Sequence, residues 1–319
     1  MLKRRSDIFD FVGYVDERTF CKDPLKSVFF DEKEYAGFRK LALDEALNCP
    51  GLEAVTVEVP NRELVPVALR CMERELAMHM DKPAGEDLAL YRKLLDGCQA
   101  KNLPFQMGYM FRGNPAFRFC LEAIRNKLLG EIFEITADMD HNYGGEAYQE
   151  YIANFPGGLM FNLGCHLIDF VVAALGRPEK VTPFLKSAPG YPGDCHNNCM
   201  AVLEYPHALV SIRSCSKTVG GSPGRAMKIA GTNGTIRFSP LERFDGKGVE
   251  IHLKLERDTA DYPAGTHTLV FPPQRDRYEE QLLELAEAIR EKKLCSYSFE
   301  HDCLVHEVTL AAANYIEWR

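Results

Sequence analysis

Apolar positions in the first third of the chain fall in short continuous runs separated by amphipathic stretches. Phe11–Val15 ends in Asp16, Ala54–Pro60 runs into Asn61, Leu76–Met80 ends in Asp81, Lys82 and Pro83, and Phe105–Met110 is the fourth run. Between them, Leu64–Glu75 and Glu86–Lys101 read as helices, the second with Leu88, Tyr91, Leu94, Leu95 and Cys98 at helical spacing. Continuous apolar runs mark strands buried on both faces, and their alternation with helices predicts a parallel sheet covered on both sides.

After Met110 the texture changes. One helix (Pro115–Leu128), one strand (Glu131–Met139) and an apolar helix over 159–175 come first. Strands follow at Val181–Lys186, Cys199–Tyr205, Ala208–Ser216, Met227–Ala230, Thr235–Phe238, Val249–Glu256 and Thr266–Phe271. Pro206-His207, Asn233-Gly234 and Asp245-Gly246 supply turn signals. Two helices, Asp276–Glu291 and His301–Tyr315, close the chain. The fold class is therefore α/β: a parallel-sheet domain over 1–110, then an α+β domain over 111–319 with a large open, mostly antiparallel sheet and helices on one face.

The helix over 159–175 is apolar nearly all round, the mark of a buried helix. At 100° per residue Asn162, His166 and Asp169 fall within about 60° of one another. Buried polar groups need partners, so three on one stripe line a cavity or build an internal network. The preceding Gly157-Gly158 and the mid-helix Gly164 imply close approach of backbone to something else. The residues that end the parallel strands are the other candidates, because ligands sit beyond the carboxyl ends of such sheets. Asp16 stands where an acid meets ribose hydroxyls, or forms a turn. Lys82, held before Pro83, projects over the strand ends, or is a solvated surface lysine.

Composition narrows the classes. The chain has 319 residues, 46% hydrophobic and 26% charged, and 38 basic against 46 acidic residues give −8. No basic block exceeds Lys3–Arg5, so no nucleic-acid partner is expected, and the polar residues of the 159–175 helix break the longest apolar stretch short of a membrane span. The opening MLKRRSDIFDF has no apolar run behind its basic residues, so it does not read as a secretory signal. Eleven cysteines, an odd number, then read as reduced thiols in a cytoplasmic protein. Cys195 and Cys199 flank His196 in CHNNC, but no second ligand pair follows at zinc spacing, and no metal is expected.

Taken in order, EVPN (Glu58–Asn61), MHMDKPAG (Met78–Gly85), GYMFRGNP (Gly108–Pro115), LLGEIFEI (Leu128–Ile135), GGLMFNLGCHLID (Gly157–Asp169) and GTNGTI (Gly231–Ile236) resemble the successive motifs of the glucose-fructose oxidoreductase and inositol dehydrogenase family, Gfo/Idh/MocA. The likeness runs from about residue 8 to the end. It implies a Rossmann domain before a large sheet domain, NAD or NADP as cofactor, and oxidation of a sugar, cyclitol or related polyol hydroxyl. It implies Lys82, in the place of the family's E-K-P lysine, as the residue that orients substrate beside the nicotinamide. It implies His166 as general acid/base with Asn162 beside it, Asp16 at the adenosine ribose, and Pro60 and Asn61 along the cofactor cleft. Arg112, His141, Tyr143 and Asp169 are the expected substrate contacts. A homodimer or homotetramer formed through the second sheet is expected, its free face made partly apolar by Ala201, Leu203, Val210 and Ile212.

Two departures change the expectation. Asn162 stands where the family pattern has an acid; an amide positions a hydroxyl or water but takes no proton. Further, no G-x-G-x-x-G occurs in the chain, and GKG at Gly246–Gly248 lies among hairpins. On the family layout Met1–Ser6 is the tail of the first helix, and the first strand, its glycine turn and most of that helix are expected to be missing from this chain. The Phe11–Val15 strand is then expected to pair elsewhere, lie at an edge or leave a gap, and the chain as written to bind NAD(H) weakly or not at all. Glu17 and Arg18 leave NAD and NADP both open. A catalytically silent sugar-binding relative and an NAD-dependent glycosidase of the same fold are the alternatives.

Overall fold

A computed structural model describes residues 1–16, 35–142, 145–190 and 195–319. The chain forms two compact units. Unit 1 runs from Met1 to Gly108, takes in the start of the Gly145–Ala153 helix, and regains the chain over Tyr278–Phe299; unit 2 holds the rest. The Glu279–Glu291 helix, assigned to the second part by the division at residue 110, thus packs in the first.

Unit 1 contains a short pair, β1 (Tyr14–Val15) with β2 (Lys40–Leu41), and a parallel sheet of β3 (Ala54–Val57), β4 (Ala77–Met80) and β5 (Phe105–Met107) in that order. The Phe11–Val15 run therefore pairs elsewhere, as a strand of two residues beside Lys40. Residues 1–6 form a single 3-10 turn, Leu2–Arg5, in place of the expected helix tail. All four β4 residues are buried. Because side chains alternate along a strand, Ala77 and His79 face one way, toward the Glu279–Glu291 helix, where Ala77 packs with Leu282 and Leu285 and His79 lies edge-on to Tyr278. Met78 and Met80 face the other way and are fully buried. Glu284 of that helix accepts from Gln106 Nε2 of β5 at 2.9 Å, which pins the helix to the sheet. The Leu88–Ala100 helix starts at Asp87, whose carboxylate accepts from Leu90 N–H at 2.9 Å.

Unit 2 is built on eight strands: β6 (Ile132–Asp138), β7 (Lys180–Lys186), β8 (Asn198–Glu204), β9 (Leu209–Cys215), β10 (Ala226–Gly231), β11 (Gly234–Phe238), β12 (Glu250–Leu255) and β13 (Gly265–Val270). They lie in the order β13-β12-β11-β10-β6-β9-β8-β7, antiparallel except where β6 meets β9. Asn114 opens the Pro115–Arg125 helix by accepting from Ala116 N–H at 2.9 Å, and its own amide donates to Leu241 O at 3.2 Å. That helix packs on Cys165–Leu175, and the turn before Cys165 packs on β8 and β9.

One expectation about this sheet is wrong. Ala201, Leu203, Val210 and Ile212 are fully buried and belong to the core, not to a free face. Alternation fixes which residues share a face; the helices decide which face is covered. The opposite face carries ion pairs, Lys180 with Glu204 at 3.0 Å and Lys228 with Glu134, and a smaller apolar area of Phe184 (45% exposed) beside half-buried Met200 and Val202. Among the described residues, no helix is long and apolar enough to cross a membrane.

Candidate functional site

In unit 1 the sequence candidates gather at the carboxyl ends of β3 and β4. Pro60 and Asn61 follow β3, and the buried Asn61 donates through Nδ2 to Pro83 O at 2.5 Å. This bond ties the β3 loop to the loop that carries Lys82. The Lys82 N–H is itself held by Asp81 Oδ1 at 2.8 Å, and the side chain is half-buried. Asn61 Oδ1 is buried and accepts no hydrogen bond among the described residues. A buried acceptor in that state is costly, so the position suits a ligand donor such as a carboxamide or a ribose hydroxyl. Asp16 follows β1 and is half-buried, outside the three-stranded sheet.

Unit 2 holds the other half of the candidates. The helix expected over 159–175 is two structures: a π-turn at Met160–Gly164, then an α-helix over Cys165–Leu175. A π-turn closes i→i+5 bonds and advances by fewer degrees per residue than an α-turn. Four residues at that smaller step still come close to a full turn, so Asn162 stays near the direction of His166. His166 and Asp169, one turn apart in regular helix, stay on one face and are buried, whereas Asn162 in the wide turn is half-buried. The glycines do mark close approach. Gly158 has φ +53°, and a Cβ on it would stand 2.1 Å from His196 O; one on Gly157 would stand 2.4 Å from the Tyr315 ring.

His166 is 2% exposed. The backbone N–H of Met110 donates to its Nδ1 at 3.3 Å, and the rings of Tyr109 and Phe111 meet the imidazole edge-on, each centroid 6.1 Å away. Two residues on, the Arg112 guanidinium grips Asp169, with Nη2 at 2.7 Å and Nε at 3.1 Å, and also donates to Asp302. His301 Nε2 lies 3.0 Å from Asp169 Oδ1, and the Tyr109 ring lies 4.9 Å from the guanidinium carbon. Burial alone would raise the Asp169 carboxyl, but Arg112 and His301 hold it below its ordinary value. Burial wins at Asp302, which is pushed up despite Arg112. Burial also keeps the Tyr109 hydroxyl protonated. Asp169, His301 and Asp302 are metal-ligand types with their atoms within 4.8 Å, yet the guanidinium already donates to both carboxylates.

Arg112 and Asp169, expected as substrate contacts, thus spend their charges on each other. His141 is fully buried, its N–H bonded to Cys215 O at 2.8 Å, and its imidazole is pushed down to about 3 by burial, then by Arg225 and Lys217. Tyr143, Glu17 and Arg18 lie outside the described residues. CHNNC proves to be a packing element: His196 O accepts from Leu159 N–H at 2.8 Å, His196 Nδ1 meets Pro156 O at 2.7 Å, and the Cys199 thiol, pushed up to about 11 by burial, donates to His196 O. Sequence reasoning missed Tyr109, Met110, His301 and Asp302. An acid among the apolar positions of the closing helix is the one signal for Asp302, and acids at helix starts ordinarily have a simpler explanation in the helix dipole.

Residues 117–237 match the GFO/IDH/MocA C-terminal domain. An uncharacterized oxidoreductase of Schizosaccharomyces pombe is 27% identical over 203 residues, 61% of this chain and 54% of that protein. The uncharacterized oxidoreductase YhhX of Escherichia coli is 28% identical over 149 residues, 46% of this chain and 41% of that one. The chain spans about half the length of the curated relatives it matches. A levoglucosan dehydrogenase solved with NADH and levoglucosan superposes with a TM-score of 0.73 at 18% identity, over 88% of this chain and 84% of that one, and so shares the fold.

Proposed function

We propose that this chain, whose residues 117–237 match the GFO/IDH/MocA C-terminal domain, is a member of that family and an NAD(P)-dependent oxidoreductase acting on a hydroxyl of a sugar, cyclitol or related polyol. The observation that carries this reading is His166, a buried imidazole set edge-on to two aromatic rings, with one ring nitrogen engaged by Met110, on a helix that opens with a π-turn. Irregular turns inside helices recur at functional sites, and a buried, oriented imidazole suits a reacting hydroxyl.

The bound nicotinamide would take up or return a hydride at the carbinol carbon. Asn61, with its buried acceptor, and Pro60 fit the nicotinamide end; Asp16 is assigned to the adenosine ribose and Lys82 to orienting the substrate. Asn162 positions a hydroxyl or a water. His141 is assigned to the substrate side, and Tyr143 is assigned there on the family resemblance alone, while Arg112 and Asp169 act through one another. The protein works in the cytoplasm as a homodimer or homotetramer paired through the open face of its large sheet. The NADH and levoglucosan bound by the similarly folded dehydrogenase support both the cofactor and the substrate class.

The test is fluorescence titration with NADH and NADPH, followed by NADH formation with a panel of polyols. Absence of nucleotide binding even at millimolar NADH and NADPH, concentrations that register the weak binding expected without a glycine fingerprint, overturns the cofactor assignment. Binding with no turnover of any polyol identifies a silent relative, and release of a chromogenic aglycone with no net NADH identifies a glycosidase.

A further inference from the structure

The hydrogen bond between Met110 N–H and His166 Nδ1 constrains the chemistry of the imidazole. A backbone N–H can only donate, so Nδ1 must present its lone pair. A neutral imidazole has one ring proton, and it therefore sits on Nε2. Protonating Nδ1 would set two donors against each other.

What holds Met110 there is a clamp of two contacts between one turn and one helix. Tyr109–Arg112 is a tight turn, closed by Arg112 N–H on Tyr109 O at 3.2 Å. Met110 meets His166; two residues later Arg112 meets Asp169, one helical turn beyond His166. The guanidinium is 4% exposed and its carboxylate partners Asp169 and Asp302 are 3% and 1% exposed, so the clamp is dry. Bidentate Arg–carboxylate pairs fix orientation as well as distance. His301 fixes the same carboxylate from its other side.

We propose that Arg112 is a positioning residue for His166: by anchoring the Tyr109–Arg112 turn to Asp169 and Asp302 it keeps Met110 N–H on Nδ1, holds the imidazole as its neutral Nε2–H tautomer, and makes Nε2 a hydrogen-bond donor to the substrate oxygen. This rests on the functional reading above and changes one role within it. In this tautomer Nε2 carries the ring proton and Nδ1 only a lone pair already engaged by Met110, so what the neutral imidazole offers the substrate oxygen is a hydrogen bond from Nε2. A neutral imidazole that polarises a carbonyl is established enzyme chemistry.

The experiment is long-range 15N–1H NMR of the full chain labelled at histidine, without cofactor or substrate, the His166 signals being assigned by their loss in His166→Asn. The expected spectrum shows one tautomer at neutral pH, with Nε2 protonated and Nδ1 not. An Nδ1–H form, or an average of the two, overturns the tautomer assignment. In Arg112→Lys, which keeps the charge but not the fork, the His166 signals should move to a tautomer average while turnover falls roughly 100-fold and KM changes by less than about threefold. A folded Arg112→Lys protein with an unchanged His166 spectrum overturns the positioning role. If that variant does not fold, Asp302→Asn, which removes one anchor and leaves Asp169 in place, is read the same way. A pure Nε2–H tautomer in a protein that binds no nucleotide would sink the functional reading and leave the clamp standing; nucleotide binding with the wrong tautomer does the reverse.

Discussion

Replacing Gly158 by alanine should destabilise the protein by about 3 kcal/mol. Gly158 has φ +53°, a region that costs an L-residue roughly 1–2 kcal/mol. The added methyl would then stand 2.1 Å from His196 O and 2.5 Å from His196 Cβ. The carbonyl cannot retreat at low cost. It accepts the Leu159 N–H at 2.8 Å, and its segment is held by Ser187 Oγ on Cys195 O at 2.9 Å, Ala188 N–H on Asn197 Oδ1 at 2.7 Å and Ser216 N–H on Asn197 O at 3.0 Å. Losing the Leu159 bond leaves a buried amide unsatisfied, about 1–3 kcal/mol more. Gly220 is the control: it is left-handed, with φ +69° and ψ +14°, but nothing lies within 4 Å of its would-be Cβ, so Gly220→Ala should cost only the backbone share, roughly 1–2 kcal/mol. Urea titrations followed by circular dichroism measure both. Equal losses in the two variants would refute the clash and with it the view that CHNNC braces the π-turn. Where Gly158→Ala folds, turnover should also fall, because the displaced turn carries Asn162.

His166→Asn should lower turnover by at least about 100-fold with the fold intact; a variant that melts early yet keeps its activity per folded molecule makes the histidine structural. Lys82→Ala and His166→Asn should be strongly non-additive in kcat/KM if both residues serve one substrate, and additive effects would separate them. His141, held near a value of about 3 against 6.5 in the unfolded chain, stays neutral when folded. Below about pH 6.5 the unfolded chain therefore binds a proton that the folded one does not, and stability falls with falling pH by about 1.4 kcal/mol per unit, or about 2 kcal/mol by pH 5. His141→Asn should abolish that slope in urea titrations taken across the range, and an unchanged slope would place its origin elsewhere. Phe184→Glu, on the free sheet face, should shift the protein toward monomer in sedimentation; a wild-type monomer at micromolar concentration would reject pairing through that face.

Local pattern alone determined most of the elements. Period and run length locate β3, β4, β5 and the helices between them because a strand buried on both faces and an amphipathic helix leave different spacings of apolar residues. The strands of the second sheet and their hairpin joints are legible for the same reason. Buried polar residues on an apolar helix, His166 and Asp169, announce a network whichever fold holds them. What pattern could not give was anything that depends on what lies opposite. Ala201, Leu203, Val210 and Ile212 share a face by alternation, but only the packed helices decided that this face is the core. A helical wheel assumes 100° per residue, and only the folded backbone replaced that with a π-turn over Met160–Gly164 and left Asn162 half-buried. Arg112, Asp169, His301 and Asp302 are far apart in the chain, and their charges were assigned to one another by tertiary contact: burying a guanidinium is tolerable only where carboxylates meet it, and no local spacing encodes that meeting.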